Sequence, residues 1–439
     1  MKAIFLCGGS GKRMFPITED KFLLKFIGKT LLEHQIEIVR RSGLNEFIII
    51  GNPHNIGKIE EIIRNLPMAK FDLAIQKNPL GIADALRCAK RFLNDETIVV
   101  NPNDLSEASA YTSLIEAYNH SSAASYLLGY EVKDYFPGGY LVVDENSNLK
   151  HIVEKPEEGK EPSNLVNILV HLHTNPEQLL EYAEKVETTR DDVYERALDS
   201  MVKDGHEIKV VPYAGFWIPI KYPWHIFKAA EHFLDNATPY VSPTARISDK
   251  ATIEGRVILG DNVKVLENAV IRGPAYIGPN SVIGNNALVR DYSHIGANCV
   301  VGYSTEVKHS YIGDNCWFHS NYIGDSIIDD DCSFGAGTIL ANFRFDEGNI
   351  CIEVGGSKVD TGYDKLGAIV GKGCRTGINA SLMPGIRVGS NSFVGPQLCL
   401  NQDLEANKMA LLESQYQVLN NKTKLAQDKR QDLLRKLTG

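Results

Sequence analysis

Val241-Ser242-Pro243-Thr244-Ala245-Arg246 is followed by Ile247-Ser248-Asp249-Lys250-Ala251-Thr252 and by Ile253-Glu254-Gly255-Arg256-Val257-Ile258. Continuing by sixes to Val307 meets only Val, Ile or Leu, and four positions after each of these up to Val301 stands Ala, Val, Ser, Cys or Thr. A helix repeats at about 3.6 residues and a lone strand at about two, so a sustained period of six fits neither. It fits a triangular parallel coil with three six-residue faces per turn. Each large apolar side chain points into the shaft and each small one fills a cramped corner.

The phase slips at Ile312, Phe318, Ile323 and Ile328, recovers at Phe334, and resumes as Val370, Thr376, Leu382, Val388, Val394 and Leu400. The interruption at 341–366 is expected to leave the shaft as a loop on the binding face. Cys299, Cys316, Cys332 and Cys374 fall in the small-residue slot and read as buried, reduced and inert. Open coil ends invite edge pairing, so a cap is required. Residues 404–437, rich in Lys, Gln, Glu and Leu, read as a helical cap or oligomer contact.

Working back from the coil, residues 1–235 alternate strand-like runs (3–7, 47–50, 98–100, 140–143) with helical ones (31–41, 82–92, 177–185). That alternation predicts an α/β unit with a mixed, mostly parallel sheet and its ligands at the carboxyl ends of the strands. The boundaries read from the sequence are 1–235, 236–403 and 404–439. A chain of 439 residues with 43% hydrophobic and 23% charged content is an ordinary multidomain globular protein. Its net charge of −9 argues against a nucleic-acid surface. The first apolar stretch is too short for a signal peptide and no run approaches a membrane span, so a cytoplasmic enzyme is expected.

The first strand runs into Gly8-Gly9-Ser10-Gly11-Lys12-Arg13, where glycines allow close backbone approach to a phosphate and Lys12 and Arg13 add charge. Lys21 follows, then Gly28-Lys29-Thr30 opening a helix, Gln76 with Gly81, Asn103-Asp104 after a strand, Glu154-Lys155-Pro156 and Val166-Asn167. This series resembles the sugar-1-phosphate nucleotidylyltransferases. The resemblance implies that the loop (Gly8, Gly9, Gly11, Arg13) and Lys21 hold a nucleoside triphosphate, with Arg13 and Lys21 catalytic, and that Gln76 and Gly81 read a pyrimidine, as in UTP or dTTP. It implies further that Asp104 binds Mg²⁺ and that Glu154, Lys155 and Asn167 hold a sugar 1-phosphate. Three positions depart from the pattern. Pro219 stands where Trp-x-Asp would place a second metal carboxylate, Ile82 replaces Thr after Gly81, and Asn103 replaces Gly before Asp104.

The layout of the whole chain resembles bifunctional N-acetylglucosamine-1-phosphate uridylyltransferase/acetyltransferase proteins and, still more, their archaeal-type relatives. Arg290, Glu306-Val307-Lys308, His319-Ser320-Asn321-Tyr322-Ile323-Gly324-Asp325 and Gly335-Ala336-Gly337-Thr338-Ile339-Leu340-Ala341-Asn342 carry this resemblance. It implies a left-handed parallel β-helix, a homotrimer, and an acetyl-CoA-dependent acetyltransferase site. In that site Arg290, Lys308 and Tyr322 would bind the 1-phosphate, and His319 would be the general base. Asn342 would orient the amine, and the Ala336 N–H would hold the acetyl oxygen. Gly348 and Ser333 replace a Lys and an Asn of the family, and Lys358 is a candidate substitute for the lysine. Two other readings stay open on the sequence: a monofunctional nucleotidylyltransferase with an oligomerising coil, and a silent regulatory or scaffold subunit.

Overall fold

The structure is a computed structural model that describes residues 1–9, 11–190, 192–413, 417–424 and 426–438, without the side chains of Lys12 and Gln427. Ser10 and the Lys12 side chain of the glycine-rich loop therefore lie outside the described residues.

The N-terminal sheet is mixed. Thr97–Val100, Lys2–Leu6, Glu46–Gly51 and Lys70–Ile75 lie side by side in parallel. Leu165–His173 runs antiparallel to Thr97–Val100 on one side and to Ser125–Glu131 on the other, with a register shift between Ile168 and His171. The pleat of the first strand distributes its side chains by twos. Ala3 and Phe5 join one buried cluster with Phe47 and Leu128, while Ile4 joins another with Ile48 and Val99. Apolar residues on both faces require cover on both faces, which the flanking helices supply.

Helix Leu31–Arg41 begins where the sequence places it, because Thr30 and Glu33 cap it reciprocally. Thr30 Oγ1 accepts from Glu33 N at 3.2 Å and Glu33 Oε2 accepts from Thr30 N at 2.7 Å. Thr30→Ala should lower the unfolding free energy by about 1 kcal/mol in denaturant titration, and Thr30→Ser should restore most of it.

The C-terminal coil is built from three parallel sheets of eight, nine and eight strands, which the chain visits in rotation. This is the arrangement of a left-handed β-helix. The shaft is filled by the residues the period selects, from Leu259 through Ile283, Val307 and Phe334 to Leu382 and Val394. The slipped positions Ile312, Phe318, Ile323 and Ile328 are fully buried too, so the coil absorbs the irregular spacing at its corners. Val241 and Ile247 differ: at 47% and 38% exposure they form the open first rung, with no strand beneath them. Cys299, Cys316, Cys332 and Cys374 are buried free thiols. Corner residues take positive φ, and Asn262, Asn280, Asn298 and Asn315 do so in successive rungs, linked Nδ2 to Oδ1 at 3.1–3.2 Å. Asn tolerates this left-handed conformation better than most residues.

Two expectations are corrected. The excursion at 341–366 is not a free loop over a binding face. Its hairpin, Cys351–Val354 with Ser357–Asp360, wedges between coil and α/β unit, where Ile350, Ile352, Val354, Val359 and Tyr363 pack with Phe227 and Ile226. Among the described residues of the segment read as helix from 404, only Gln427–Thr438 is helical. Met409–Ala410 continues the coil by pairing with Phe393–Val394, since one more rung covers the shaft end better than a polar helix does.

The two halves are bonded directly. Ile27 N donates to His294 Nε2 at 3.0 Å, Tyr311 Oη donates to Lys25 O at 3.0 Å, and Lys25 Nζ meets Asp314 Oδ2 at 2.7 Å. No helix among the described residues is long and apolar enough to cross a membrane.

Candidate functional sites

At the carboxyl ends of the parallel strands lies a cleft of about 580 Å³ lined by Gly8, Gly9, Gly11, Arg13, Lys21, Gln76, Gly81, Asn101 and Asn103 among others. Strand Lys2–Leu6 delivers the glycine loop, and the turn after Lys70–Ile75 delivers Gln76. A Cβ on Gly8 would collide with Gln76 Oε1, so a larger residue there would displace the Gln76 amide. Gln76 Nε2 donates to Gly81 O at 3.1 Å and to Asp84 Oδ2 at 2.9 Å, which fixes the amide. Gly81 has φ +91° at the start of helix Ile82–Cys88, a left-handed position that suits glycine. Burial pulls the Lys21 ammonium down to about pKa 8, Arg13 adding to the shift and Asp104 opposing it. Asn103 Oδ1 is buried without a partner among the described residues, leaving an acceptor beside the cleft.

The candidate sugar-phosphate residues also converge. Glu154 Oε2 and Asn167 Cβ lie 2.9 and 3.6 Å from where a Cβ on Gly139 would sit, so that glycine leaves the room between them. Lys155 Nζ pairs with Glu154 Oε1 at 2.8 Å. Behind the site a buried chain fixes Asn167: His171 Nε2 meets Asn167 Oδ1 at 2.8 Å, and Tyr194 Oη meets both His171 Nδ1 and His173 Nε2.

Asp104 begins the short strand Asp104–Ser106, whose antiparallel partner is Trp217–Pro219 with Pro219 in register with Asp104. Burial raises the Asp104 carboxyl to about 6 against the pull of Lys221 and Lys21. The residue opposite Asp104 thus contributes no side-chain oxygen, and the charges of Lys221 and Lys21 act on the carboxylate instead. Among the described residues no group of three or more His, Cys, Asp or Glu is assembled to hold a metal ion. A hard divalent cation seeks several oxygens and is repelled by a fixed positive charge, so this donor set does not fit a resident Mg²⁺. Lys221 carries no role in the sequence reading; its only signal there is its place two residues after the unexpected proline.

The second site lies on the third face of the coil, where Glu306 pairs with Tyr322 and Tyr322 with Ile339. Arg290 Nη1 meets Glu306 Oε1 at 3.1 Å, and Asn342 Nδ2 donates to Tyr322 Oη at 3.3 Å. Asp325, 4% exposed, ties the patch together by accepting from Lys308 Nζ at 2.8 Å, from Asn342 Nδ2 and from His309 Nδ1 at 2.9 Å. His309 Nε2 in turn reaches Glu231 Oε1 at 2.8 Å on helix His225–Asn236 of the N-terminal half. Asp325, His309 and Glu231 had no assigned role in the sequence.

His319 is exposed at the corner where the third face begins, next to Ser320 with φ +50°. Its backbone N–H donates to Asn321 Oδ1 at 2.5 Å, which fixes the corner. Its imidazole makes no hydrogen bond to Arg290, Lys308, Tyr322 or Asn342 among the described residues. Ala336 occupies the neighbouring corner, its carbonyl accepting from Asn379 N at 2.8 Å. One chain therefore gathers the candidate residues Arg290, Lys308, Tyr322 and Asn342 and leaves the other two candidates, His319 and Ala336, at the edge of that patch. Gly348 is half-buried just after the turn at 345–346, its N–H donating to Asp346 Oδ1 at 3.3 Å, and Lys358 is exposed on the hairpin.

Residues 2–220 match the family described as Nucleotidyl transferase. Over 412 residues the chain is 33% identical to the bifunctional sugar-1-phosphate nucleotidylyltransferase/acetyltransferase of Sulfurisphaera tokodaii, covering 92% of this chain and 98% of that protein. Over 416 residues it is 38% identical to the bifunctional protein GlmU of Methanococcus maripaludis, covering 93% of this chain and 96% of that one. The likeness spans both the α/β unit and the coil, and the chain is accordingly a member of the bifunctional sugar-1-phosphate nucleotidylyltransferase/acetyltransferase family.

Proposed function

We propose that the coil transfers acetyl from acetyl-CoA to the amine of a hexosamine 1-phosphate, and that the α/β unit joins a sugar 1-phosphate to UTP or dTTP with release of pyrophosphate. The observation that carries the reading is the single patch of Arg290, Lys308, Tyr322 and Asn342 with His319 at its corner. A scaffold or a purely oligomerising coil has no need of such a set.

In acetyl transfer the neutral amine attacks the thioester carbon, His319 takes its proton, and the C–S bond breaks to release the coenzyme A thiol. Negative charge develops on the acetyl oxygen, where the Ala336 N–H is assigned to donate. Arg290, Lys308 and Tyr322 hold the phosphate and Asn342 aims the amine. In nucleotidyl transfer a sugar phosphate oxygen attacks the α-phosphorus, and the α–β bridging bond breaks. The work of the chain is positioning and charge neutralisation. The glycine loop, Arg13 and Lys21 hold the triphosphate, Gln76 and Gly81 the base, and Glu154, Lys155 and Asn167 the sugar phosphate. Magnesium belongs here to the nucleotide substrate, carried on its own phosphates.

The chain is proposed to work in the cytoplasm, where both co-substrates occur, and to assemble as a homotrimer through the flat faces of its coil. Sedimentation equilibrium at micromolar concentration should give the mass of three chains; one or two would refute the trimer. With UTP or dTTP and a panel of sugar 1-phosphates, the protein should release pyrophosphate. Asp104→Ala should sharply lower that release, because it removes the carboxylate whose charge acts on Lys21 and Lys221, while leaving acetyl transfer intact. Unchanged pyrophosphate release in this variant would remove Asp104 from the site.

A further inference from the structure

We infer that the Lys221 ammonium occupies the place of a resident divalent cation in the nucleotidyl-transfer centre, as a built-in counter-charge for the reacting phosphates. The inference rests on the nucleotidyl-transfer reading above and identifies which group of this chain supplies the positive charge.

Three observations lead to it. Pro219 faces Asp104 in the pairing of Trp217–Pro219 with Asp104–Ser106, so the backbone position that would bring a second carboxylate to Asp104 brings a pyrrolidine ring. Ile220 N donates to Asn103 O at 2.9 Å, which locks this register beside the cleft. Two residues beyond the proline, Lys221 is held at both ends. Its backbone N–H donates to Pro219 O at 3.0 Å and its Nζ donates to Pro137 O at 2.9 Å, with the Nζ 3.5 Å from the centre of the Phe136 ring. A lysine pinned in this way has lost most of its rotamer freedom before any substrate arrives, which is the property of a preorganised electrostatic group.

The third observation is what the ammonium faces. Its charge acts on Asp104, Arg13, Glu154 and Lys155. Arg13 lines the triphosphate cleft, and Glu154 and Lys155 belong to the candidate sugar-phosphate site. Lys221 thus acts electrostatically on groups of both candidate substrate sites, and its proposed place is where the α-phosphate and the attacking sugar phosphate meet. There the oxygen of the sugar phosphate forms its bond to phosphorus, pyrophosphate departs with the electron pair of the broken bond, and Lys221 offsets the accumulating negative charge. No proton or electron passes through it. A second fixed cation beside Asp104 also opposes entry of a doubly charged ion, so proline and lysine act in the same direction.

The test uses the full chain and Mn²⁺ as probe, read as loss of the free aquo-ion signal in electron paramagnetic resonance without nucleotide. Wild type and Asp104→Asn should give superimposable binding curves. The double variant Pro219→Asp/Lys221→Gly should bind about one further Mn²⁺ per chain. A wild-type site that Asp104→Asn abolishes would overturn the inference, as would a folded double variant that gains none. These readouts need no turnover, so they stand apart from failure of the activity assignment itself. In pyrophosphate release, Lys221→Ala should lose roughly 10²–10³-fold in kcat, and Lys221→Arg should recover part of it. A Lys221→Ala enzyme within twofold of wild type would also contradict it.

Discussion

His319→Ala should lower the rate of acetyl transfer by roughly 10²–10⁴-fold, the usual cost of losing a general base, and should change KM for the amino sugar little. The separation follows from geometry: His319 sits at the corner of the third face, whereas Arg290, Lys308 and Tyr322, the residues proposed to bind the phosphate, lie along that face. Arg290→Ala should show the reverse balance, a raised KM with a lesser fall in kcat, because phosphate contacts serve ground state and transition state alike. The check is steady-state release of coenzyme A thiol with the amino-sugar 1-phosphate varied. A His319→Ala enzyme with wild-type kcat would remove the base assignment.

The other large effect is expected at Asp325. It accepts hydrogen bonds from Lys308, His309 and Asn342 in a nearly inaccessible position, and through His309 it connects the coil to Glu231. Removing one member of such a buried set leaves its cations uncompensated, which costs about 3–5 kcal/mol. Asp325→Ala should therefore lose most acetyl transfer and unfold at markedly lower denaturant. Burial alone would lower the His309 pKa, but its hydrogen bonds to Asp325 and Glu231 outweigh that and raise it to about 9. Burial pushes the Asp325 carboxyl up, and His309, Lys308 and Asn342 more than reverse this, leaving it below its usual value.

The sign of the pH dependence follows from these directions. The raised His309 contributes stability that is fully present below about pH 6.5 and is lost as pH rises through about 9. The depressed Asp325 contributes stability present above about pH 3.9 and lost as pH falls through its folded value. Wild-type stability should thus decline between about pH 6.5 and 9, and His309→Gln should flatten that decline. Denaturant titrations at matched ionic strength across that range decide it; equal slopes would exclude the bridge as their source.

What the sequence disclosed follows from how local each feature is. The shaft was legible because every rung imposes the same demand, so Val265, Ile283 and Val301 report one periodic environment many times over. The convergence of Gly8, Arg13, Lys21, Gln76 and Gly81 on one cleft was legible because its pieces are short motifs at strand ends. The hairpin at Cys351–Val354 was not, because its apolar residues answer to Phe227 in the other half of the chain. The corner asparagines passed unnoticed because their requirement is a positive φ and a neighbour one rung away, neither of which is an apolar pattern. Pro219 and Asp104 meet only through a strand pairing across a long stretch of sequence, and His309 meets Glu231 across 78 residues. Electrostatic partnerships at that separation leave no periodic trace.

Both activities are tested together by one incubation. Purified protein is given acetyl-CoA, UTP or dTTP with Mg²⁺, and each of a panel of hexosamine 1-phosphates, and the products are read by mass spectrometry. A bifunctional enzyme should convert at least one of them into a nucleotide diphosphate N-acetylhexosamine, with coenzyme A thiol and pyrophosphate released in step. Absence of acetylated sugar across the whole panel, or acetylated sugar phosphate that never acquires a nucleotide, would contradict the account.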